Sequence, residues 1–217
     1  MSSRWRAVSA EDTLRLLGAV SLESSAWDTL DTRGIHPSLS LMPPADLQRL
    51  RAAVRDVPDF PKPGILFKDI TPILADGELF HLAIAAFVEA AQVHKPAKVA
   101  GIDARGFILG GAVAHQLGLG FVPIRKKGKL PWQCEAASYA LEYGEAVVEM
   151  HVDAIRRGER VVLIDDLLAT GGTAAAASHL IRQLGGDLVD ILFLIELGFL
   201  SGRQKLAQAP VHAVLTF

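Results

Sequence analysis

The sequence predicts an α/β fold in which helices flank a central parallel sheet. Half of the 217 residues are apolar, which is enough to bury the core of one domain with an appendage. After residue 43, short apolar runs alternate with helical patterns, the rhythm of a parallel sheet covered on both faces. One of these runs ends in two adjacent acidic residues, and an alanine-rich helix follows it. Open parallel sheets bind ligands beyond the carboxyl ends of their strands, so we expect the functional site at this edge.

The chain divides into an appendage and a domain. Residues 1–43 contain one stretch that could form a short capped helix, followed by serines and threonines without a second apolar face. We expect this extension to be poorly ordered and the domain to span residues 44–217. The domain opens with a helix whose apolar residues recur at helical spacing: Leu47, Leu50, Val54 and Val57. Prolines from position 58 onward break this helix, so we expect residues 59–72 to form a loop.

The remaining elements continue the alternation of strands and helices. The apolar patterns predict strands at 98–102, 120–124, 161–164 and 188–195, and helices at 78–94, 107–117 and 172–184. Two further apolar stretches, 139–142 and 146–151, lie on either side of the turn sequence Tyr143-Gly144-Glu145. This arrangement predicts a hairpin beside the parallel core.

Composition excludes several classes of protein. The 22 basic and 24 acidic residues leave a formal net charge of −2, so no overall positive field attracts nucleic acid. The single cysteine, Cys134, excludes an internal disulfide framework and a cysteine-rich zinc module, and it fits a reducing compartment. Charged residues interrupt the first 25 residues, and no later segment reaches the roughly 18 apolar residues of a membrane span. We therefore expect a cytoplasmic protein with neither a nucleic-acid nor a membrane partner.

The acidic loop carries the strongest chemical signal. Asp165 and Asp166 close a predicted strand, and the small residues Ala169–Thr173 open the next helix. Free amides, the helix dipole and glycines that permit close approach make such a loop suitable for a phosphate. The carboxylates can accept hydrogen bonds from ribose hydroxyls or help to bind magnesium, with simple capping of a strand end as the alternative. The sequence contains neither an ATP-type loop nor a Gly-x-Gly-x-x-Gly motif, so the pattern indicates a ribose phosphate.

Two other strand ends carry cations. Arg105 lies between a predicted strand and a helix start, where it could bind a phosphate bidentately, with a surface ion pair as the alternative. Residues 125–129 place four cations around one glycine. Such basic runs are usually solvated. At the same sheet edge as the acidic loop, however, this one is a candidate clamp for a pyrophosphate.

Five motifs carry a resemblance to a known family. They are similar, in order, to sequences of the type I phosphoribosyltransferases that use adenine: Asp59–Pro72, Ala104–Phe107, Arg125–Pro131, Leu141–Gly144 and Val161–Thr173. The resemblance covers about residue 45 to the C-terminus. It implies that family's fold, with a small N-terminal hood at about residues 57–75 and a flexible catalytic-loop hairpin. It also implies purine salvage: transfer of the 5-phosphoribosyl group from phosphoribosyl pyrophosphate to adenine, giving AMP and pyrophosphate.

The resemblance implies a role for each matching residue. The 5-phosphate should be bound by Ala169, Thr170, Gly171, Gly172 and Thr173, and the ribose hydroxyls by Asp165 and Asp166. The pyrophosphate, bridged to the sugar by Mg²⁺, should be held by Arg105, Arg125, Lys126 and Lys129. The adenine pocket should be formed by Ile65, Phe67, Lys68 and Leu197. On the mobile loop, Glu142 should exchange a proton with the purine.

The sequence leaves some alternatives open. Lys68 stands where an arginine is common in the family, which keeps a cation but removes the planar fork. A phosphoribosyltransferase for another purine, or a regulator that senses phosphoribosyl pyrophosphate, would share most of these motifs. The candidate protein ligands of the metal are Asp165 and Asp166. The family resemblance also suggests a homodimer.

Overall fold

A computed structural model of the chain describes residues 42–140 and 145–217. Residues 1–41 of the predicted extension 1–43 therefore lie outside the described residues, and so does the predicted catalytic residue Glu142. The helices are α1 (Pro44–Ala53), α2 (Thr71–Ala75), α3 (Gly77–Gln92), α4 (Arg105–Leu117) and α5 (Gly172–Gln183). The strands are β1 (Arg55–Pro58), β2 (Leu66–Asp69), β3 (Lys98–Ile102), β4 (Gly120–Lys126), β5 (Cys134–Ala140), β6 (Glu145–His151), β7 (Arg160–Leu168), β8 (Asp187–Glu196) and β9 (Val211–Thr216). Two 3₁₀ turns, Gly198–Leu200 and Gly202–Leu206, lie between β8 and β9.

Seven strands form the central sheet, in the order β5-β6-β4-β3-β7-β8-β9. Strands β4, β3, β7, β8 and β9 run parallel, whereas β6 pairs antiparallel with both β4 and β5. Strands β1 and β2 form a separate antiparallel ladder. The predicted class, a mostly parallel sheet flanked by helices, is confirmed, and so is a hairpin beside the parallel core.

Successive residues of β7 are buried on opposite faces of the sheet. Val162 and Ile164 belong to the core that contains Phe87 of α3, whereas Val161 and Leu163 belong to the core beneath α5. All four β7 residues are fully buried. Since side chains alternate along a strand, a strand covered by helices on both faces requires an unbroken apolar run. This requirement accounts for the Val-Val-Leu-Ile sequence. Burial of these four side chains on both faces holds β7 at the centre of the domain.

The segment after α1 differs from the prediction. The helix ends at Ala53, and Val57 lies in β1, where it pairs with Phe67 of β2. The stretch 59–72, expected to be a loop, contains β2 and the start of α2. Prolines obscured the ladder because proline fits a strand only where its missing N–H is not needed, and Pro58 occupies the last position of β1.

Three later elements also differ from the prediction. Strand β7 continues to Leu168, so Asp165 and Asp166 lie within the strand rather than after its end. The cause is β8, because its long ladder with β7 extends as far as the pair Leu168 and Glu196. Strand β5 begins at Cys134, earlier than the predicted hairpin arm. The apolar pattern does not predict β9, which pairs with β8 at the end of the sheet.

A buried carboxylate joins three elements towards the amino-terminal ends of the parallel strands. Asp190 of β8 is fully buried, and His212 Nδ1 of β9 donates to its two oxygens at 2.9 and 3.1 Å. His94, which follows α3, places Nε2 at 3.1 Å from Asp190 Oδ2. Burial opposes ionisation of Asp190, but the hydrogen bonds from His212 and His94 outweigh it and lower the pKa of this carboxyl. The cluster therefore ties α3 and β9 to β8.

We expect Asp190→Asn to lower the free energy of unfolding by about 3 kcal/mol at neutral pH, because both histidines lose a buried anionic partner. Asp187→Asn, at the exposed start of the same strand, should change it by less than about 0.5 kcal/mol. Urea unfolding of the two variants and the wild type measures the difference. Equal unfolding midpoints for wild type and Asp190→Asn at pH 7 would contradict the assignment.

The stability difference between wild type and Asp190→Asn should depend on pH, and the lowered pKa of Asp190 gives the direction of that dependence. The pKa of Asp190 in the folded protein lies below the ordinary value of 3.8. Its contribution to stability is therefore present above that pH and is lost as the pH falls through the lowered pKa. We expect the difference between wild type and Asp190→Asn to shrink as the pH falls below the ordinary carboxyl pKa of 3.8 and through the lowered pKa of Asp190.

Candidate active site

The carboxyl ends of four parallel strands bring distant parts of the chain to one edge of the sheet. Strand β3 leads into Arg105, β4 ends at Lys126, β7 leads into Ala169–Thr173, and β8 leads into Leu197. These four strands are consecutive in the sheet, in the order β4-β3-β7-β8. Because they run parallel, their carboxyl ends meet at the same edge. The structure thus brings together three groups of residues that the sequence singled out separately.

Asp165 and Asp166 lie side by side in β7. The side chain of Asp166 is buried, whereas Asp165 is half-buried. The backbone N–H of Asp166 donates to Asp165 Oδ1 at 2.9 Å. Desolvation by the surrounding protein, followed by the charge of Asp166, raises the pKa of Asp165 well above its ordinary value. A cation or a pair of hydroxyl donors at this place would favour the charged carboxylate again.

Arg105 links the acidic pair to the β1–β2 ladder. Its Nε donates to Asp166 Oδ2 at 2.5 Å in a charge-assisted hydrogen bond. Its guanidinium carbon lies 5.6 Å from the centre of the Phe67 ring, within cation–π range. Of the two roles that the sequence left open, the structure shows an ion pair. The partner, however, is an acid of the same sheet edge and not a surface residue.

The start of α4 packs directly on the acidic pair. A Cβ added to Gly106 would lie 2.8 Å from Asp165 Oδ1 and 2.9 Å from the Ile164 carbonyl oxygen. Both distances are too short for a side chain. The absence of a side chain at Gly106 therefore lets Arg105 approach Asp166. The motif Ala104-Arg105-Gly106 includes this glycine, but the reason for it is visible only in the structure.

The Ala169–Thr173 loop has a shape suited to an anion. Together with Asp165 it lines a pocket at the start of α5. Gly171 has a φ of 76°, and a Cβ there would collide with the carbonyl oxygen of Gly202. The loop therefore lies directly on the backbone of the second 3₁₀ turn, and no local sequence signal marks Gly202 as its support. Backbone N–H groups at the start of α5 make this pocket a candidate phosphate site.

The basic run divides into a fixed arginine and exposed lysines. Arg125 Nε donates to Asp103 Oδ2 at 3.0 Å, and its Nη1 donates to the Lys129 carbonyl at 2.9 Å. The side chains of Lys126 and Lys129 are exposed at the same edge. The structure thus places all three cations near the end of β4. Sequence reasoning missed Asp103, although its position between β3 and Arg105 was a usable signal.

An aromatic surface lies beside Arg105. Phe67 is half-buried and meets Phe60 edge to face, with 5.2 Å between the ring centres. Ile65, which directly precedes β2, is 41% exposed. Leu197 is buried in the core that Phe217 packs against. The sequence did not single out Phe60, because an aromatic residue in a proline-rich segment carries no periodic signal.

Comparisons with known proteins agree with this geometry. The family model described as a phosphoribosyl transferase domain matches residues 74–206. An adenine phosphoribosyltransferase of Rhodopseudomonas palustris is 56% identical over 170 residues, which are 77% of this chain and 85% of the relative. The crystal structure of adenine phosphoribosyltransferase from Rhodothermus marinus is 56% identical, with a TM-score of 0.77, and the match covers 80% of this chain and 99% of that one.

A third match contains ligands. The Saccharomyces cerevisiae adenine phosphoribosyltransferase, in complex with an imino-altritol bisphosphate and adenine, is 44% identical with a TM-score of 0.75, and the match covers 78% of this chain and 98% of that one. The fold and the acidic loop therefore define a phosphoribosyltransferase. More narrowly, the chain belongs to the adenine phosphoribosyltransferase family, and it is a transferase enzyme.

We expect Gly106→Ala to lower the free energy of unfolding by about 2 kcal/mol, because the new methyl group would be forced against Asp165 and the backbone of β7. Gly111→Ala is the matched control in the same helix, since a Cβ there meets nothing within 4 Å. The control should be stabilised by up to about 1 kcal/mol through helix propensity. Denaturant unfolding measures both variants, and a shift of the same sign in the two would contradict the packing argument.

Proposed function

We propose that this chain transfers the 5-phosphoribosyl group of phosphoribosyl pyrophosphate to adenine, giving AMP and pyrophosphate in purine salvage. One observation carries the proposal: Arg105 contacts Asp166 at 2.5 Å on one side and the Phe67 ring at 5.6 Å on the other. A ribose phosphate bound at the acidic loop would thus lie beside an aromatic surface on which a base can stack. The adenine in the yeast relative supports the choice of base.

In this proposal, each group of residues at this sheet edge binds a different part of phosphoribosyl pyrophosphate. The backbone of Ala169–Thr173 binds the 5-phosphate, and Asp165 and Asp166 accept hydrogen bonds from the ribose hydroxyls. The pyrophosphate is held by Arg105, Arg125, Lys126 and Lys129. The family resemblance supports these roles, and the meeting of the loops at one edge makes them geometrically compatible.

The reaction is a substitution at the anomeric carbon. The bond from that carbon to pyrophosphate breaks while adenine N9 forms a bond to it. Positive charge grows on the sugar and negative charge on the leaving group. The carboxylates of Asp165 and Asp166 beside the sugar favour the first change, and the fixed guanidinium of Arg125 favours the second. Glu142 accepts the proton that the purine loses, a role supported by the resemblance alone.

Magnesium is the cofactor that the resemblance implies, and the donors of this edge fit it. Within residues 42–140 and 145–217, no cluster of three or more His, Cys, Asp or Glu side chains could hold a metal. Mg²⁺, however, is commonly bound by one or two carboxylates together with substrate phosphates. Asp165 and Asp166 supply such carboxylates. Burial, and after it the charge of Asp166, raises the pKa of Asp165, and a bound cation would oppose this by favouring the charged carboxylate. When bound, the ion neutralises charge on the pyrophosphate.

The proposal extends to organisation and location. Residues 44–217 form the catalytic domain, and the hood near residues 57–75 consists of the β1–β2 ladder with α2. The family resemblance supports a homodimer, and the single free cysteine, Cys134, fits a cytoplasmic location. In the described part of the chain, no helix has both the length and the apolar character needed to cross a membrane.

Base selectivity separates adenine from other purines. A pocket of main-chain donors and acceptors beside Phe67 would match the 6-amino group of adenine and leave a 6-oxo group mismatched. We expect kcat/KM for hypoxanthine and guanine to be lower by roughly 10⁴, because a buried polar mismatch discriminates strongly. Pyrophosphate release by the purified protein with Mg²⁺ and each base measures this. Hypoxanthine turnover within about tenfold of adenine would favour another purine, and no release with any base would favour a regulator that only senses phosphoribosyl pyrophosphate.

We expect Glu142→Gln to lower kcat by about 10² to 10⁴, because the amide keeps the shape of the side chain but cannot take the proton. The KM for phosphoribosyl pyrophosphate should stay within a few fold, since the acidic loop and the cations bind it. Glu135→Gln in β5, where the Glu135 carboxylate accepts from Gln183 at 2.9 Å, is the control and should retain kcat. Single-turnover kinetics must show the loss; retention of more than half of the wild-type rate in Glu142→Gln would exclude the catalytic role.

A further inference from the structure

Phe217 joins the two protein segments that border the proposed adenine pocket. One is β2 with Phe67, and the other begins at Leu197, directly after β8. The N–H of Phe217 donates to the Glu196 carbonyl at 2.9 Å, and its carbonyl accepts from the Gly198 N–H at 2.9 Å. Leu197 is therefore held between two backbone hydrogen bonds made by one residue.

The ring of Phe217 faces the N-terminal elements. Lys68 Nζ of β2 lies 4.4 Å from the ring centre, and the guanidinium carbon of Arg51 in α1 lies 4.6 Å from it. Lys68 Nζ also donates to Asp56 Oδ1 at 2.5 Å, and these two residues are paired across the β1–β2 ladder. Arg51 donates in addition to the Thr216 carbonyl at 2.8 Å. One aromatic ring thus holds a cation of β2 and a cation of α1.

The strand geometry transmits this contact to the pocket. Phe67 and Lys68 are successive residues of β2, so their side chains point to opposite faces of the strand. Phe67 faces Arg105, whereas Lys68, only 12% exposed, faces Phe217. Because the two residues are neighbours in one strand, a displacement of the β2 backbone at Lys68 also displaces Phe67. The contact between Lys68 and Phe217 therefore fixes the place of the aromatic surface relative to Leu197.

We propose that Phe217 is a positioning residue for adenine, which sets the spacing between Phe67 and Leu197 through Lys68. The inference rests on the proposed function, since it takes the base to lie between these two residues. It also gives Lys68 a specific role, because the flexible ammonium group of this residue spans from the ladder to the Phe217 ring. Phosphoribosyl pyrophosphate is held by the acidic loop and the cations, so its binding should not depend on this contact.

The experiment is steady-state kinetics with both substrates varied. Phe217→Leu keeps an apolar side chain but removes the ring, and it should raise the KM for adenine roughly five- to thirtyfold. The KM for phosphoribosyl pyrophosphate should stay within about twofold of wild type. Phe217→Tyr keeps the ring face, so its KM for adenine should stay within about twofold of wild type.

Val214→Ala is the matched control. Val214 lies in β9, the strand that Phe217 directly follows, and it is partly buried against the same core as Phe217. Its truncation therefore costs stability without removing a cation–π contact. It should lower the unfolding midpoint and leave both KM values unchanged. An equal rise of both KM values in Phe217→Leu, or a rise for adenine in Val214→Ala as large as in Phe217→Leu, would overturn the inference. Failure of the wild type to use adenine would instead overturn the proposed function.

Discussion

Two adjacent carboxylates within a buried strand are the constraint on which the rest of this sheet edge depends. Like charges this close repel each other, and the protein surroundings weaken their screening by water. Arg105 offsets the repulsion by pairing with Asp166, and Gly106 provides the space that α4 needs to begin against Asp165. The backbone of β7 is held in place because β3 pairs with it up to Ile164 and β8 pairs with it as far as Leu168. The start of α4 therefore supplies both a cation that neutralises the acids and the space that they need.

Cations over aromatic rings connect the N-terminal elements to the sheet. Arg105 lies over Phe67, and Lys68 and Arg51 lie over Phe217. Such contacts hold two segments together by electrostatic attraction between a cation and the face of an aromatic ring. The two-stranded ladder needs this support, because an isolated pair of short strands is barely stable in water. The hood is thus attached through the same residues that border the acidic loop and the proposed base pocket.

Sequence reasoning was most successful where burial dictates residue type. The run Val161–Ile164 had to be apolar, so the central strands and the helices beside them could be predicted. The β1–β2 ladder was missed because its strands are short, at most half-buried and specified by their pairing with each other. The end of β7 was misplaced because its length depends on its partner β8. The motifs located the loops of the candidate site, but the pairing of Arg125 with Asp103 and the support of Gly171 by Gly202 arise between segments that local patterns do not connect.

The parallel strands carry two acidic centres with opposite protonation behaviour. Towards their amino ends, Asp190 holds its charge more firmly than a free carboxyl, whereas at their carboxyl ends Asp165 holds its charge less firmly. Acidification therefore weakens the hydrogen bonds of the Asp190 cluster at one end and reduces the charge repulsion between Asp165 and Asp166 at the other. Substitutions at centres that share no partners usually act independently. Substitutions in the histidine cluster can thus change the acid tolerance of the scaffold while the ionisation of Asp165 stays under separate control.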